Sequence, residues 1–337
     1  MSKKVLTISI ASYNIEKFVE ETLSSFIIPE IMVDLEVIAV NDGSKDKTSE
    51  LANTFVKMYP DTFVVLDKEN GGYGSTINAS SKIARGKYFK TIDGDDWVDR
   101  DAMIALIEYL KTTNDDIVVT NYCRVNDKTK KKVPTVFECA ELRKSMPFEK
   151  GYTGQLLFMQ GITIKTSILQ AINLNITEHC FYTDIEYILT PVPAIQTISF
   201  LDEFVYMYRV AVNEQSMSVA GKRKHIDEQL KILTKMLNYY NDRKKELSTA
   251  KQNYFMVILS EMYKSHITAI LSLDVSNAAK QRMLDIEHYL KTNVSDIYNN
   301  TNKYKTVHIL RLTNYSLYSV GSIAYKMYQK ILPLIGR

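Results

Sequence analysis

The first 120 residues alternate short β-branched runs with segments that are apolar at helical spacing, and this alternation leaves few architectures open. Val5 to Ala11, Leu35 to Val40, Phe63 to Leu66, Tyr88 to Ile92 and Ile117 to Thr120 are expected as strands. Between them Phe18, Leu23 and Phe26, then Leu51 and Phe55, then Met103, Leu106, Ile107 and Leu110 recur at the period of an amphipathic helix. Strands alternating with helices build a parallel sheet with crossover connections. Such sheets bind ligands beyond the carboxyl ends of their strands, so function is expected in the residues just after each run. Those residues are Ser12-Tyr13-Asn14, Asn41-Asp42-Gly43-Ser44 and Asp93-Gly94-Asp95-Asp96, all three stretches polar or acidic.

The remaining sequence has a different texture. From Asp127 to Pro147 it is basic and irregular, with Lys128, Lys130, Lys131 and Lys132 close together, and reads as an exposed excursion. From Lys222 onward strand signals nearly vanish, and Ile226, Leu230, Leu233 and Leu237 form an apolar stripe among charged residues. A division follows: a catalytic domain over 1–220, its first half 1–120 and its second 121–220, and a helical appendage over 221–337. With 45% hydrophobic and 24% charged residues the chain can bury an ordinary core. A net charge of +3 does not suggest nucleic-acid binding. Three cysteines, Cys123, Cys139 and Cys180, lack the spacing of a zinc site or a disulfide framework and are expected as reduced thiols. The N-terminal apolar run is short and punctuated by hydroxyls, and no stretch reaches the length of a membrane span, so a cytoplasmic location is expected.

The most informative segment is Tyr88-Phe-Lys-Thr-Ile-Asp93-Gly-Asp95-Asp96-Trp97, a hydrophobic strand emptying into three carboxylates within four positions. Like charges packed so closely are costly unless a cation neutralises them, and Mg²⁺ or Mn²⁺ takes one or two carboxylates together with substrate phosphates. An acidic turn capping the next helix is the plainer alternative, but the position at a strand's carboxyl end favours the cation. Asn70-Gly71-Gly72-Tyr73-Gly74-Ser75-Thr76-Ile77-Asn78 is a glycine-rich loop before a helix, a geometry suited to presenting N–H groups to phosphate, although it lacks the Gly-Lys-Ser/Thr of a P-loop.

The order of these motifs resembles that of a family 2 glycosyltransferase of the GT-A fold. Thr7 to Asn14 is similar to the family's opening strand and loop, Val40 to Thr48 to its nucleotide-binding turn, and Ile92 to Trp97 to its Asp-x-Asp motif; Phe181 to Tyr187 looks like its base motif. The resemblance implies an α/β fold with a mostly parallel sheet flanked by helices, followed by a helical region. It also implies inverting transfer of a sugar from a nucleotide diphosphosugar, foremost a UDP-sugar, to a hydroxyl of a surface glycan or lipid-linked oligosaccharide. Carried over residue by residue, it places Tyr13 against the base, Asp42 on the base's edge nitrogen, Asp93 near the ribose or metal, and Asp95 on the metal. Ala11, Gly72, Asn78 and Gly94 join the donor contacts, Arg209 pairs with the diphosphate, and Asp184 is the catalytic base with Glu186 as rival. Gln215 to Ser218 resembles a loop that closes over the donor. Ile77 stands where many members carry Arg, so no arginine contact is expected there.

Two readings from other classes compete. A nucleotidyltransferase or pyrophosphorylase would show a glycine-rich phosphate loop near the N-terminus, yet residues 8–20 contain no glycine. A non-catalytic nucleotide-sugar-binding module would not need Asp184. No acidic residue follows Asp296, while Lys303, Lys305, Arg311, Lys326, Lys330 and Arg337 are interleaved with Val307, Leu310, Tyr315, Tyr318, Ile323, Tyr325, Met327, Tyr328 and Ile331. That tail is expected either to touch an anionic membrane face or to pack on the appendage or on a second copy of the chain.

Overall fold

The structure, a computed structural model, describes residues 4–210 and 219–331. Gln215 to Ser218 and Arg337 thus lie outside the described residues. The chain divides into two compact units, Met1–Val212 and Asn213–Arg337.

The first unit is built on strands β1 (Leu6–Ser12), β2 (Leu35–Asp42), β3 (Phe63–Lys68), β4 (Tyr88–Asp93), β5 (Trp97–Val98), β6 (Ile117–Asn126), β7 (Lys132–Thr135), β8 (Met146–Pro147), β9 (Ile162–Lys165) and β10 (Thr197–Val210). They lie in the order β3-β2-β1-β4-β9-β6-β10-β5, with β7 beside β6 and β8 beside β10. β1, β2, β3 and β4 are parallel neighbours, as are β6 and β10; β9 runs antiparallel between β4 and β6. The five expected strands are all present, and the mostly parallel α/β fold is as the sequence suggests. Every residue of β2 is buried, which is why it reads as an unbroken apolar run with Glu36 as its one early exception. Glu36 is kept there by accepting from Thr7 Oγ1 at 2.6 Å and from the Arg85 N–H at 2.8 Å.

The sheet order places the site. The chain steps outward from β1 to β2 to β3 and then returns to β4 on the other side of β1, so the connections on the two sides of β1 diverge and leave a crevice at the carboxyl ends. In register, Ala11 lies opposite both Val40 of β2 and Asp93 of β4. The three polar stretches therefore emerge side by side on one edge. On the far side β10 breaks its register with β6 between Leu201 and Phe204 and again between Phe204 and Tyr206. Irregularities of this kind re-aim side chains, and here Tyr206 and Arg209 end beneath the acidic turn.

The segment 127–147 is mostly exposed, as expected, but it holds the two short strands β7 and β8 and buries Phe137 and Met146.

The second unit is helical throughout its described residues. Helix Thr249–Ser272 is its centre, buried on several sides, with helices Ile226–Arg243 and Asn277–Asn293 beside it. Ser248 and Ser276 cap two of these helices by accepting from Lys251 N and Ala279 N. Arg311 Nε donates to Glu287 Oε1 at 2.5 Å, and Tyr263 donates to the same carboxylate, so one tail cation is consumed inside the unit. Among the described residues no helix is long and apolar enough to cross a membrane.

Candidate functional site

The site begins with the turn after β4. Its three carboxylates have different fates. Asp96 is fully buried, accepting from Tyr206 Oη at 2.7 Å and from the Arg209 N–H at 2.6 Å. It holds the turn in place. Asp93 and Asp95 are half-buried, and among the described residues no cationic side chain forms an ion pair with either carboxylate. Burial pushes the Asp93 carboxyl up, and the charges of Asp95 and Asp184 push it further. Burial likewise raises Asp95 and Asp184. Gly94 is required between them: a Cβ there would stand 2.5 Å from the Ala11 carbonyl oxygen and 2.6 Å from Ile15 Cδ1. The acidic turn is pressed against the end of β1, with Thr22 Oγ1 donating to the Gly94 carbonyl at 2.9 Å.

Two loops form the neighbouring wall. Asn14, at φ 51°, accepts from Lys45 N at 2.9 Å, while its own N–H donates to Ser44 Oγ at 3.0 Å. Ile15 N reaches Thr48 Oγ1 at 2.9 Å, and Glu16 N reaches Asp46 Oδ2 at 3.0 Å. This lacing fixes the loop after β1 to the loop after β2 and leaves Tyr13 48% exposed at the rim, where a ring is able to stack on a flat ligand.

Four expectations meet a different geometry. Asp42 is 2% exposed, and its carboxylate accepts from Lys68 Nζ, Gly71 N, Gly72 N, Asn70 Nδ2 and Ser75 Oγ. It ties down the glycine loop rather than facing a base. The Gly71 and Gly72 N–H groups are thereby taken, so in this geometry Gly72 does not offer its N–H to a phosphate. Its role is conformational: φ is 80°, and the helix Tyr73–Ile83 begins directly after it. Asn78 is also inward, donating to the Ile176 carbonyl at 2.8 Å and Glu178 Oε1 at 3.2 Å, and accepting from Ile176 N at 2.8 Å. Arg209 is 2% exposed; its fork donates to Asp127, to Glu21 and to the Asp95 carbonyl oxygen, and it lies against Trp97 and Phe18. It braces the acidic turn from behind instead of reaching a diphosphate.

The same contacts carry the segment bearing Asp184. Asn78 clamps Ile176, and Thr177 donates through its N–H and its hydroxyl to Glu186 at 2.6 and 3.0 Å. Gly74 lets the helix Tyr73–Ile83 lie directly on this segment, since a Cβ would stand 2.3 Å from the Thr177 carbonyl oxygen. Glu186, 1% exposed, is thus consumed in holding the loop. Asp184 opens the helix Asp184–Leu189, half-buried, its carboxylate held down only by backbone N–H groups of its own turn and raised more strongly by burial. Its charge is felt by Asp93 across the crevice.

Tyr73 is the residue that sequence reading missed. Its hydroxyl donates to Met159 Sδ at 3.1 Å, and burial together with the charges of Asp93 and Asp184 drives the phenol strongly toward its neutral form. The signal was its place immediately after the glycine pair, at the first position of a helix. Among the described residues no three His, Cys, Asp or Glu side chains form a ready metal cage. A divalent cation here would take one or two carboxylates, Asp95 and Asp93, and complete its shell from phosphate and water, and two uncompensated carboxylates whose charge is disfavoured fit such a cation.

A family model described as glycosyl transferase family 2 matches residues 7–180. The uncharacterized glycosyltransferase EpsJ of Bacillus subtilis is 27% identical over 67% of this chain and 66% of its own length, so the chain spans just under two thirds of that relative. The overall fold is similar to that of Staphylococcus aureus TarS 1–349, solved in complex with UDP-GlcNAc, at a TM-score of 0.66, 16% identity and coverage of 96% of this chain and 92% of the other. It is less similar to the mannosyltransferase PcManGT of Pyrobaculum calidifontis, solved with GDP-Man and Mn²⁺, at a TM-score of 0.51 and 13% identity over 98% of this chain and 88% of the other.

The raised carboxyls give a stability prediction. A carboxyl whose pKa is higher folded than unfolded stabilises the fold below the ordinary carboxylate range, and that contribution is lost as pH rises through the folded value. Without divalent cation, melting of the protein is expected to fall between pH 5 and pH 8. Asp93→Asn is expected to recover roughly 2–4 °C at pH 8, read by differential scanning calorimetry. A lower melting temperature for Asp93→Asn at pH 8 contradicts the assignment of Asp93 as an uncompensated charge.

Proposed function

The chain belongs to glycosyl transferase family 2, and on that premise we propose that it transfers a sugar from a UDP-sugar to a hydroxyl of a surface glycan or lipid-linked oligosaccharide, with inversion at the anomeric carbon. The observation that carries the reading is the division of labour between two carboxylates two residues apart: Glu186 is buried and locked to Thr177, while Asp184 is half-buried and bonded by backbone N–H groups of its own turn. A general base must be free to accept the acceptor's proton as the new bond forms, and only Asp184 meets that condition. A raised pKa suits it to the task, since a stronger base accepts the proton more readily.

The donor would lie along the edge formed by the loops after β1, β2 and β4. Tyr13 offers its ring to the base, and Ala11, Gly94 and Asp93 line the approach to the ribose and phosphates. The complexes of the similar folds with UDP-GlcNAc and with GDP-Man and Mn²⁺ support a nucleotide sugar as the donor. Asp95, with Asp93 beside it, would hold Mg²⁺ or Mn²⁺; when bound, the cation supplies positive charge against the leaving diphosphate. Arg209 and Asp96 keep the turn from yielding to the repulsion within it. Asp42 and Asn78 act through the loops they hold: one sets the glycine loop, the other the segment that delivers Asp184.

A lipid-linked acceptor would be met at a membrane, and the second unit presents a surface suited to one. Ile309, Leu312, Leu317, Val320, Ile323 and Met327 are each at least 44% exposed. Val307, Leu310, Tyr315 and Tyr318 instead pack inside, at 8% or less, and Arg311 is paired with Glu287, so half of the expected stripe is structural. The outer half, with Lys303 and Lys305 nearby, suits an anionic leaflet, where each nearby cation contributes about 1 kcal/mol.

Asp184→Asn is expected to keep UDP-sugar binding while transfer falls by roughly 10² to 10⁴, and the wild-type rate should rise with pH through a midpoint above the ordinary Asp range. Glu186→Gln should instead lower thermal stability. If Glu186→Gln loses turnover with its melting intact while Asp184→Asn transfers normally, the base is misassigned. For the membrane, the full-length protein should co-sediment with phosphatidylglycerol vesicles at low salt, and replacing Leu312, Val320 and Ile323 by Ser should weaken that about tenfold. Equal sedimentation with neutral and anionic vesicles, or none, rules this contact out.

A further inference from the structure

One exposed aromatic ring stands beside the turn that packs on the helix bearing Asp184. Phe158 is 39% exposed, immediately before the turn Met159–Gly161. Its ring stands nearly perpendicular to that of Tyr122, at 81° with centroids 6.3 Å apart, and Tyr122 in turn packs on Phe137 at 6.0 Å. Tyr122 and Phe137 are each 6% exposed. The exposed ring is therefore mounted on a rigid aromatic base, and little ordering remains to be done when a ligand arrives.

The mounting also fixes where the ring lies. The turn Met159–Gly161 packs against the helix Asp184–Leu189, which carries the proposed base. Met159, the next residue, accepts from the Tyr73 hydroxyl, and Tyr73 feels the charges of Asp93 and Asp184. Lys90 secures the same turn from below, donating to the carbonyls of Gln160 at 2.6 Å and Ile162 at 3.2 Å.

We propose that Phe158, on its Tyr122 mount, is the platform on which a pyranose ring of the acceptor lies while one of its hydroxyls faces Asp184. A pyranose presents a face of C–H groups that is apolar and matches an aromatic ring in size, while its hydroxyls project sideways toward polar partners. This inference rests on the glycosyltransferase reading and names the class of acceptor: a neutral hexopyranose unit, held by ring contact rather than by charge.

The test is saturation-transfer NMR on the full chain with a set of methyl hexopyranosides, in the presence of UDP and Mg²⁺, with UDP binding followed by calorimetry on the same samples. At least one glycoside should receive saturation on the C–H groups of one ring face. Phe158→Ala should weaken that signal on the order of tenfold, equivalent to about 1.4 kcal/mol, while leaving UDP affinity unchanged. Phe158→Trp should retain it, a rescue that a merely structural role would not give. Saturation that is unchanged in Phe158→Ala, or absent for every glycoside while UDP binds, overturns the platform and leaves the donor reading standing. If UDP itself does not bind the wild-type protein, both readings fall together.

Discussion

Everything at the carboxyl edge of this sheet depends on holding two uncompensated carboxylates, Asp93 and Asp95, close together and partly out of water. Left to itself a four-residue turn with three aspartates would spread apart or recruit lysines. Here neither escape is available. Asp96 is fixed from below by Tyr206 and by the Arg209 N–H, while the Arg209 fork is anchored to Glu21, Asp127 and the Asp95 carbonyl. Arg209 therefore spends its donors on the backbone and flanks of the turn, and its charge only partly offsets the effect of burial on Asp95. On the proposed reading, a turn braced in this way would meet a positive charge arriving with the substrate without rearranging.

The second constraint is mechanical. One short helix, Tyr73–Ile83, serves both halves of the crevice. Its glycine-rich start is tied to β2 by the Asp42 carboxylate, and its flank is tied to the Ile176–Glu178 segment by Asn78. Asp42 and Asn78 thus define the distance between the donor edge and Asp184. Transfer needs that distance to be right to within a fraction of an ångström, and residues that never touch the substrate are able to set it.

How much of this was legible in the sequence divides along physical lines. The strands were visible because buried strands are rich in apolar and β-branched residues, β2 most completely, and the polar stretches after them lie side by side at one end of the sheet. The acidic turn was visible because three carboxylates in four residues have few structural uses. Directions were not visible. Asp42, Asn78 and Arg209 are polar residues at the right places along the chain, but whether a side chain points into a crevice or back into the protein depends on partners far away in sequence. Lys68, Ile176, Asp127 and Glu21 are such partners, and no local pattern announces them. Asp184 and Glu186 show the same limit from the other side: both open the same helix, and only the reach of Thr177 separates them. Tyr73 was overlooked because its charged neighbours, Asp93 and Asp184, are distant in the chain.

On the proposed reading, the acidic turn and Asp184 face one another across a bound nucleotide sugar. A crystal structure of the protein soaked with UDP and Mn²⁺, with anomalous scattering to locate the metal, examines this directly. A manganese peak is expected within bonding distance, about 2 Å, of an Asp95 carboxylate oxygen, with the diphosphate completing its shell, the uracil against Tyr13, and Asp184 on the open side of the β-phosphate. Manganese bound elsewhere with UDP in place, or UDP seated away from the ends of β1, β2 and β4, would contradict it.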